Sequence, residues 1–243
     1  SGSAGVFNYN GDEIPATSAK INPSYGQIAP GLDCASCFYF ADMLNMRVRF
    51  VDDAGGIHTV AGNGLHEDVC YVPAVTADGL PATAMQVSWP NAVSVGHDGS
   101  VFFGASFGYV GRVLPDGRAY RVAGRYHCFG SWQDSLPAQR ALDVDIYDKR
   151  LVISPTGELH VVHEATGVVG IGQAEWLAKL RVDGILGRYA GAGIVPDGDG
   201  VLALGAALPR VGDLVLTRSG STLLALRSTT GSVGRVYGID SEG

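Results

Sequence analysis

Residues 11–62, GDEIPATSAKINPSYGQIAPGLDCASCFYFADMLNMRVRFVDDAGGIHTVAG, decide how the rest of the chain is read. The stretch opens on an acidic loop, Asp12-Glu13-Ile14-Pro15-Ala16-Thr17. An aromatic strand ending in Ala41-Asp42 follows, then Arg47-Val48-Arg49-Phe50-Val51, and the stretch closes on Val60-Ala61-Gly62. The same pieces return in the same order. The acidic loop recurs as Asp78-Gly79-Leu80-Pro81-Ala82-Thr83 and as Asp134-Ser135-Leu136-Pro137-Ala138-Gln139, with a worn copy at Asp199-Gly200-Val201-Leu202-Ala203. The closing Ala-Gly recurs at Ala123-Gly124 and Ala190-Gly191. A basic residue of the third strand recurs as Arg49, Arg112, Lys179 and Arg235, at spacings of 63, 67 and 56 residues. Three anchors that keep one period of about 60 residues mark a repeat architecture.

Each repeat reads as four short strands. In the second, Ala92-Val93-Ser94-Val95 is the first strand and His97-Asp98-Gly99-Ser100 a hairpin turn. Val101-Phe102-Phe103, then the run from Tyr109 to Leu114, and then Ala119-Tyr120-Arg121-Val122-Ala123 are the other three, with Pro115-Asp116-Gly117 turning the chain between the last two. Strand, tight turn, strand, with few helix signals, predicts meander sheets. In the third repeat, residues 165–176 read as an insertion between strands.

This order of loop, strands and closing Ala-Gly resembles the NHL-repeat β-propeller family over almost the whole chain. The resemblance implies an all-β fold, a β-propeller of four-stranded antiparallel blades. It implies one domain over residues 1–243, with repeats at about 5–62, 63–124, 125–191 and 192–243. The chain starts and stops at one phase of the repeat: Ser3-Ala4-Gly5 matches the end of a fourth strand, and Ile239-Asp240-Ser241-Glu242-Gly243 matches the turn before one. The N-terminal strand is therefore expected to complete the last blade beside residues 233–237.

Composition narrows the function classes. The chain has 243 residues, enough for a large core. A net charge of −7 argues against nucleic acid or an anionic membrane as main partner, since both need a basic footprint. No run of 18 apolar residues is present, so no membrane span is expected. No phosphate loop occurs, and no cofactor is expected.

Four cysteines stand at Cys34, Cys37, Cys70 and Cys128. Cys34-Ala35-Ser36-Cys37 sits where other repeats place their first hairpin turn, so a Cys34–Cys37 bridge would staple that turn. Cys70 and Cys128 lie in corresponding connections of successive repeats, and a Cys70–Cys128 bridge would pin two long loops. Closing so long a segment is worth about 2–4 kcal/mol. Two plausible pairs predict an oxidising compartment, extracellular or at the cell surface. The competing reading takes His66, Cys70, His127 and Cys128 as a zinc set. Neighbouring His127 and Cys128 do not easily point at one ion, so the disulfide is the expectation and no metal is assigned.

Some propellers that resemble this family, the peptide-amidating lyases among them, hold zinc with histidines around the central channel. Here His58 falls in an outer strand, His97 in a turn, and His160 and His163 on opposite faces of one strand. No catalytic residue is assigned on that basis. The residues at Arg49, Arg112, Lys179 and Arg235 are expected to pair with Asp12, Asp78, Asp134 and Asp199. The long connections 63–86 and 125–142 carry His66, Tyr71, His127, Phe129 and Trp132, adaptable or anchoring side chains suited to an interface. The expected function is non-catalytic protein–protein recognition or assembly. A secreted metal-dependent lyase or hydrolase is the first alternative, and a repeat unit of a filament or cell-surface array the second.

Overall fold

A computed structural model describes residues 9–24, 26–65, 78–106, 108–124, 138–143, 146, 148–164, 175–191, 195–196, 203–208, 211–219, 221–226 and 235–240. The first blade is built from β1 (Ile14–Pro15), β2 (Ile28–Pro30), β3 (Phe38–Asp42), β4 (Arg47–Val51) and β5 (Gly56–Ala61). The second holds β6 (Leu80–Pro81), β7 (Pro90–Val95), β8 (Val101–Ala105), β9 (Tyr109–Val113) and β10 (Arg118–Ala123). The third holds β11 (Ala138–Arg140), β12 (Asp148–Ile153), β13 (Leu159–Glu164), β14 (Glu175–Leu180) and β15 (Ile185–Gly191). A short parallel pair, β16 (Val195–Pro196) and β17 (Ala206–Ala207), leads into the fourth, β18 (Val211–Leu216), β19 (Thr222–Leu226) and β20 (Arg235–Ile239).

Blades one to three share one topology: an antiparallel meander in the order first, second, third, fourth strand, with the short strand of the acidic loop added outside the fourth. The sequence predicted four strands; the fifth comes from the Pro-Ala loop itself. Ile14 pairs with Ile57 and Leu80 with Ala119. The innermost strands stack in turn, β2 and β3 on β7, β7 on β12 and β12 on β18. Four antiparallel blades are thus arranged as a β-propeller. Three apolar seams fill the gaps between them, Val48 with Val93 and Phe103, Phe102 and Val110 with Leu151 and Val161, and Val162 and Leu177 with Leu214 and Leu224.

The pairing explains the recurring Ala-Gly. Gly62 and Gly124 follow a fourth strand and Gly191 ends one, all with φ between +82° and +92°. A Cβ on any of them would lie within 2.3 Å of the backbone oxygen of Met46, Gly108 or Glu175. Only glycine combines that conformation with so close a backbone approach.

Register corrects two sequence expectations. A β-bulge falls at one place in three blades: Val48 opposite Ala61, Val110 opposite Ala123, and Leu177 opposite Ala190. Counted from it, Arg49 matches Gly111 and Ala178, whereas Arg112 matches Phe50 and Lys179. The basic residues are therefore not one repeat position. Arg49 does bind Asp12, at 2.8 Å and within its own blade. Arg112 turns instead to Asp98 in the first hairpin turn, and Lys179 to Glu158 at 3.5 Å. The Asp78 carboxylate accepts the Arg121 backbone N–H. The second correction concerns the third acidic loop. Ala16, Ala82 and Ala141 each donate their N–H to the turn glycine Gly55, Gly117 or Gly184. Ala141, not Ala138, is thus the third copy, three residues later than the sequence suggests.

Candidate functional site: the loop-bearing edge

In an antiparallel four-strand meander the first strand starts at the sheet edge where the fourth one ends. The long connections leave from that edge. Gly62 donates its N–H to Ala82 O at 3.0 Å, and Gly124 donates to Ala141 O at 2.7 Å. Equivalent bonds therefore draw together the two ends of residues 63–81 and of residues 125–140. Asn63 reinforces the first base: its N–H reaches Met85 O at 2.9 Å and its side-chain amide reaches Ala84 O at 3.1 Å. Arg47 donates to Asn63 O at 3.0 Å and to Asn45 O at 2.8 Å while its guanidinium lies 3.7 Å from the Tyr9 ring centre.

The same edge carries a polar tie between inner strands. Gln27, just ahead of β2, donates its N–H to Asn91 O at 2.9 Å in the second blade. Its side-chain amide reaches past that blade to the third, donating to Leu151 O at 3.0 Å and accepting from Leu151 N–H at 3.2 Å. Ser94 accepts the Ile153 N–H at 3.1 Å. These bonds tie the inner strands of three consecutive blades together, which rigidifies the seat from which the loops rise.

A second polar centre lies inside the first blade. Arg49 is fully buried, with its guanidinium 2.8 Å from Asp12 and 3.5 Å from the equally buried Asp42. It also donates to Gly11 O and His58 O. Asp42 accepts from Asn22 N–H and from the Asn45 side-chain amide. This cluster clamps residues 9–22 across the blade.

His58, on β5, lies between Glu13 at 2.8 Å and Asp52 at 2.7 Å. Both partners are acceptors, and a neutral imidazole donates from one nitrogen only, so the arrangement is that of the imidazolium. The hydrogen bond to Asp52, then that to Glu13, raises the His58 pKa above its ordinary 6.5 against the opposing effect of burial. Stability from this contact is complete below about pH 6.5 and fades as pH climbs through the raised value. Melting curves of the wild type and His58→Gln should therefore differ more at pH 6 than at pH 9, by about 2 °C. An equal difference at both pH values would contradict the ionised clamp.

Among the described residues, the other histidines are buried or lie in a turn. His160 is buried, its Nδ1 3.1 Å from the Tyr189 hydroxyl, and burial lowers its pKa to about 4. Burial also raises Tyr189 to about 12. His163 is buried on the opposite face, its ring 4.3 Å from that of Trp176, and His97 is exposed in its turn. Among the described residues, no three His, Cys, Asp or Glu side chains converge as a metal site. No helix among them is long and apolar enough to cross a membrane.

Cys34 and Cys37 are joined in the β2–β3 turn, with Cα atoms 5.7 Å apart. Asp53 accepts from Ser36 N–H at 2.7 Å and from Ser36 Oγ at 2.8 Å, tying this turn to the one between β4 and β5. Cys70, Cys128, His66, Tyr71, His127, Phe129 and Trp132 lie outside the described residues, as do residues 1–8 and 165–174; Glu175 and Trp176, read with the insertion at 165–176, instead open β14. Sequence reasoning missed Gln27 and the Glu13–His58–Asp52 set. Gln27 has no counterpart in other repeats, and the three clamp residues come together only once β1 has paired with β5.

No protein-family model and no curated protein sequence matches the chain. Among solved structures, a protein of unknown function from Bacteroides thetaiotaomicron superposes with a TM-score of 0.50 at 16% identity, over 81% of this chain and 43% of that one. Virginiamycin B lyase from Staphylococcus aureus gives 0.44 at 9% identity, over 88% of this chain and 54% of the lyase. A gluconolactonase from Xanthomonas campestris gives 0.44 at 15%, over 90% and 73%. The chain thus spans about half the length of the first two. Likeness at these identities bears on the fold alone, and the fold is the propeller.

Proposed function

We propose that this chain is a non-catalytic recognition module, an NHL-like β-propeller that holds a protein partner on the loops at residues 63–79 and 125–137. What supports this is the pair of loop bases. Equivalent hydrogen bonds from Gly62 to Ala82 and from Gly124 to Ala141 seat two long connections at matching places on consecutive blades. A rigid frame that fixes both ends of a loop and leaves its interior to vary is the arrangement of binding loops. Within them Tyr71, Phe129 and Trp132 are anchoring types, with His66 and His127 beside them. The Cys34–Cys37 bridge fits a protein working in an oxidising compartment, outside the cell or at its surface.

The test uses Trp132→Ala and Tyr71→Ala, with affinity for the native protein partner and melting temperature measured on the same samples. Loss of an interface aromatic of this kind costs about 2 kcal/mol, roughly thirtyfold in Kd. The expected result is that loss with an unchanged melting temperature. A lowered melting temperature at full affinity would make the rings loop packing instead.

A further inference from the structure

The seam between blades three and four uses the same repeat positions as the first two seams, but with different chemistry. On the second strands, Tyr39 stands opposite Phe50, Phe102 opposite Arg112 and His160 opposite Lys179, so the three share one position. On the fourth strands, the bulge residue is Val60, then Val122, then Tyr189. Tyr39 and Val60 pack into the first apolar seam, Phe102 and Val122 into the second. Where those seams join an aromatic ring to a valine, the third sets an imidazole against a phenol. His160 Nδ1 lies 3.1 Å from the Tyr189 hydroxyl, with the two rings nearly perpendicular. That hydroxyl also hydrogen-bonds the buried Thr222 on β19, so the polar thread crosses from blade three to blade four.

His160 is 7% exposed, and its Nε2 is buried with no hydrogen-bond partner among the described residues. A neutral imidazole can leave that nitrogen as a bare lone pair by carrying its proton on Nδ1, whereas the imidazolium must place an N–H donor there. An unpaired buried donor that carries charge is the costlier state. Around the ring, Lys179 lies opposite on β14 and Glu158 two residues before it, these two 3.5 Å apart. On β12, Val152 is its partner, and Arg150 meets Asp213 of β18 at 3.8 Å farther along the seam. β15 brings Tyr189, and blade four brings Thr222 and Tyr237, with Arg218 in the adjoining turn and Asp240 just past β20. Burial above all lowers the His160 pKa to about 4, with Glu158 opposing the shift and Lys179 adding to it.

We infer that the seam between blades three and four is an acid-sensitive joint, in which protonation of His160 releases strands β18–β20 of blade four from blade three. Opening admits water to the ring, so the open seam takes up the proton that the closed seam refuses. The closed state therefore keeps its full advantage above about pH 6.5 and loses it as pH falls from there towards 4. Between pH 7 and pH 5 that difference makes opening roughly twentyfold more frequent. The joint sits beside the hairpin turn at Ser154–Glu158, at the edge away from the long loops, so it stands or falls apart from the recognition reading.

Backbone hydrogen exchange at pH 7 and pH 5, corrected for the intrinsic pH dependence of amide exchange, tests the joint, with β7–β10 of blade two as internal reference. In the wild type, opening of β18–β20 should rise roughly twentyfold on going to pH 5, with blade two nearly unchanged. His160→Gln keeps a hydrogen-bonding side chain beside Tyr189 but does not titrate, and it should abolish most of the rise. Should that substitution loosen the seam at both pH values, the double variant His160→Phe, Tyr189→Val copies the second seam and should likewise be indifferent to acid. Equal rises in the wild type and the non-titrating variants, no rise in the wild type, or a rise shared by blade two would overturn the inference.

Discussion

Replacing Arg49 by Met should unfold the protein more readily than any surface substitution, by about 3–5 kcal/mol. The guanidinium is the counter-charge of the fully buried Asp42 and bonds Asp12, Gly11 and His58 besides. Methionine fills much of the space but leaves the Asp42 carboxylate in the interior without its cation, and uncompensated buried charge is the costly outcome. For a chain of this size the melting temperature should drop by roughly 10–15 °C. The double variant Arg49→Met, Asp42→Asn removes the stranded charge and should recover more than half of the loss. Denaturant titration of both variants checks this. A single variant within about 1 kcal/mol of the wild type would mean that Asp42 finds other solvation.

Gly124→Ala should cost about 3 kcal/mol or more, from two sources that a control separates. The residue has φ +82°, where a side chain costs about 1–2 kcal/mol. A Cβ there would also stand 2.1 Å from Gly108 O and 2.6 Å from Tyr109 Cα, and backbone cannot rotate aside as a side chain can. Gly117 has nearly the same φ, +80°, with nothing within 4 Å of its would-be Cβ. Gly117→Ala should therefore lose only the conformational part. Equal losses at the two positions, read from thermal or denaturant unfolding, would deny the close approach a role.

The sequence and the structure agree where one residue type answers one local demand. The Ala-Gly pairs were legible because no other residue allows that conformation and approach at once. The turn at Pro115-Asp116-Gly117 was legible because glycine accepts its positive φ, and the one across Cys34–Cys37 from its place in the repeat. Disagreement arises where the demand is tertiary. Arg49, Arg112 and Lys179 look alike in the chain, yet a β-bulge places Arg49 on the other face of its strand from the position of Arg112 and Lys179. In blade two the face corresponding to Arg49 must be glycine, since a Cβ on Gly111 would lie 2.3 Å from the buried Phe103 ring. Blade one instead meets residues 9–22 there and accommodates an ion cluster. The third acidic loop misled for a similar reason. Pro137-Ala138 imitates the motif, while the hydrogen bond to Gly184 selects Ala141. At the candidate site, the positions of the long loops were legible from the repeat, but Gln27 and the His58 clamp were not. Their partners are 124 residues away in one case and beside the added fifth strand in the other.

The central claim is that the blades carry the fold and the loops carry the recognition. Because Gly62 meets Ala82 and Gly124 meets Ala141, short Gly-Ser linkers can replace residues 66–77 and 127–135 without moving either base. The most direct measurement is the affinity of that loop-replaced chain for the native protein partner, taken together with its melting temperature. Since the replaced segments carry Cys70 and Cys128, the reference for stability is the Cys70→Ser, Cys128→Ser variant; the expected result is a melting temperature close to that variant's and loss of binding. Binding at wild-type affinity by the folded, loop-replaced chain would contradict it.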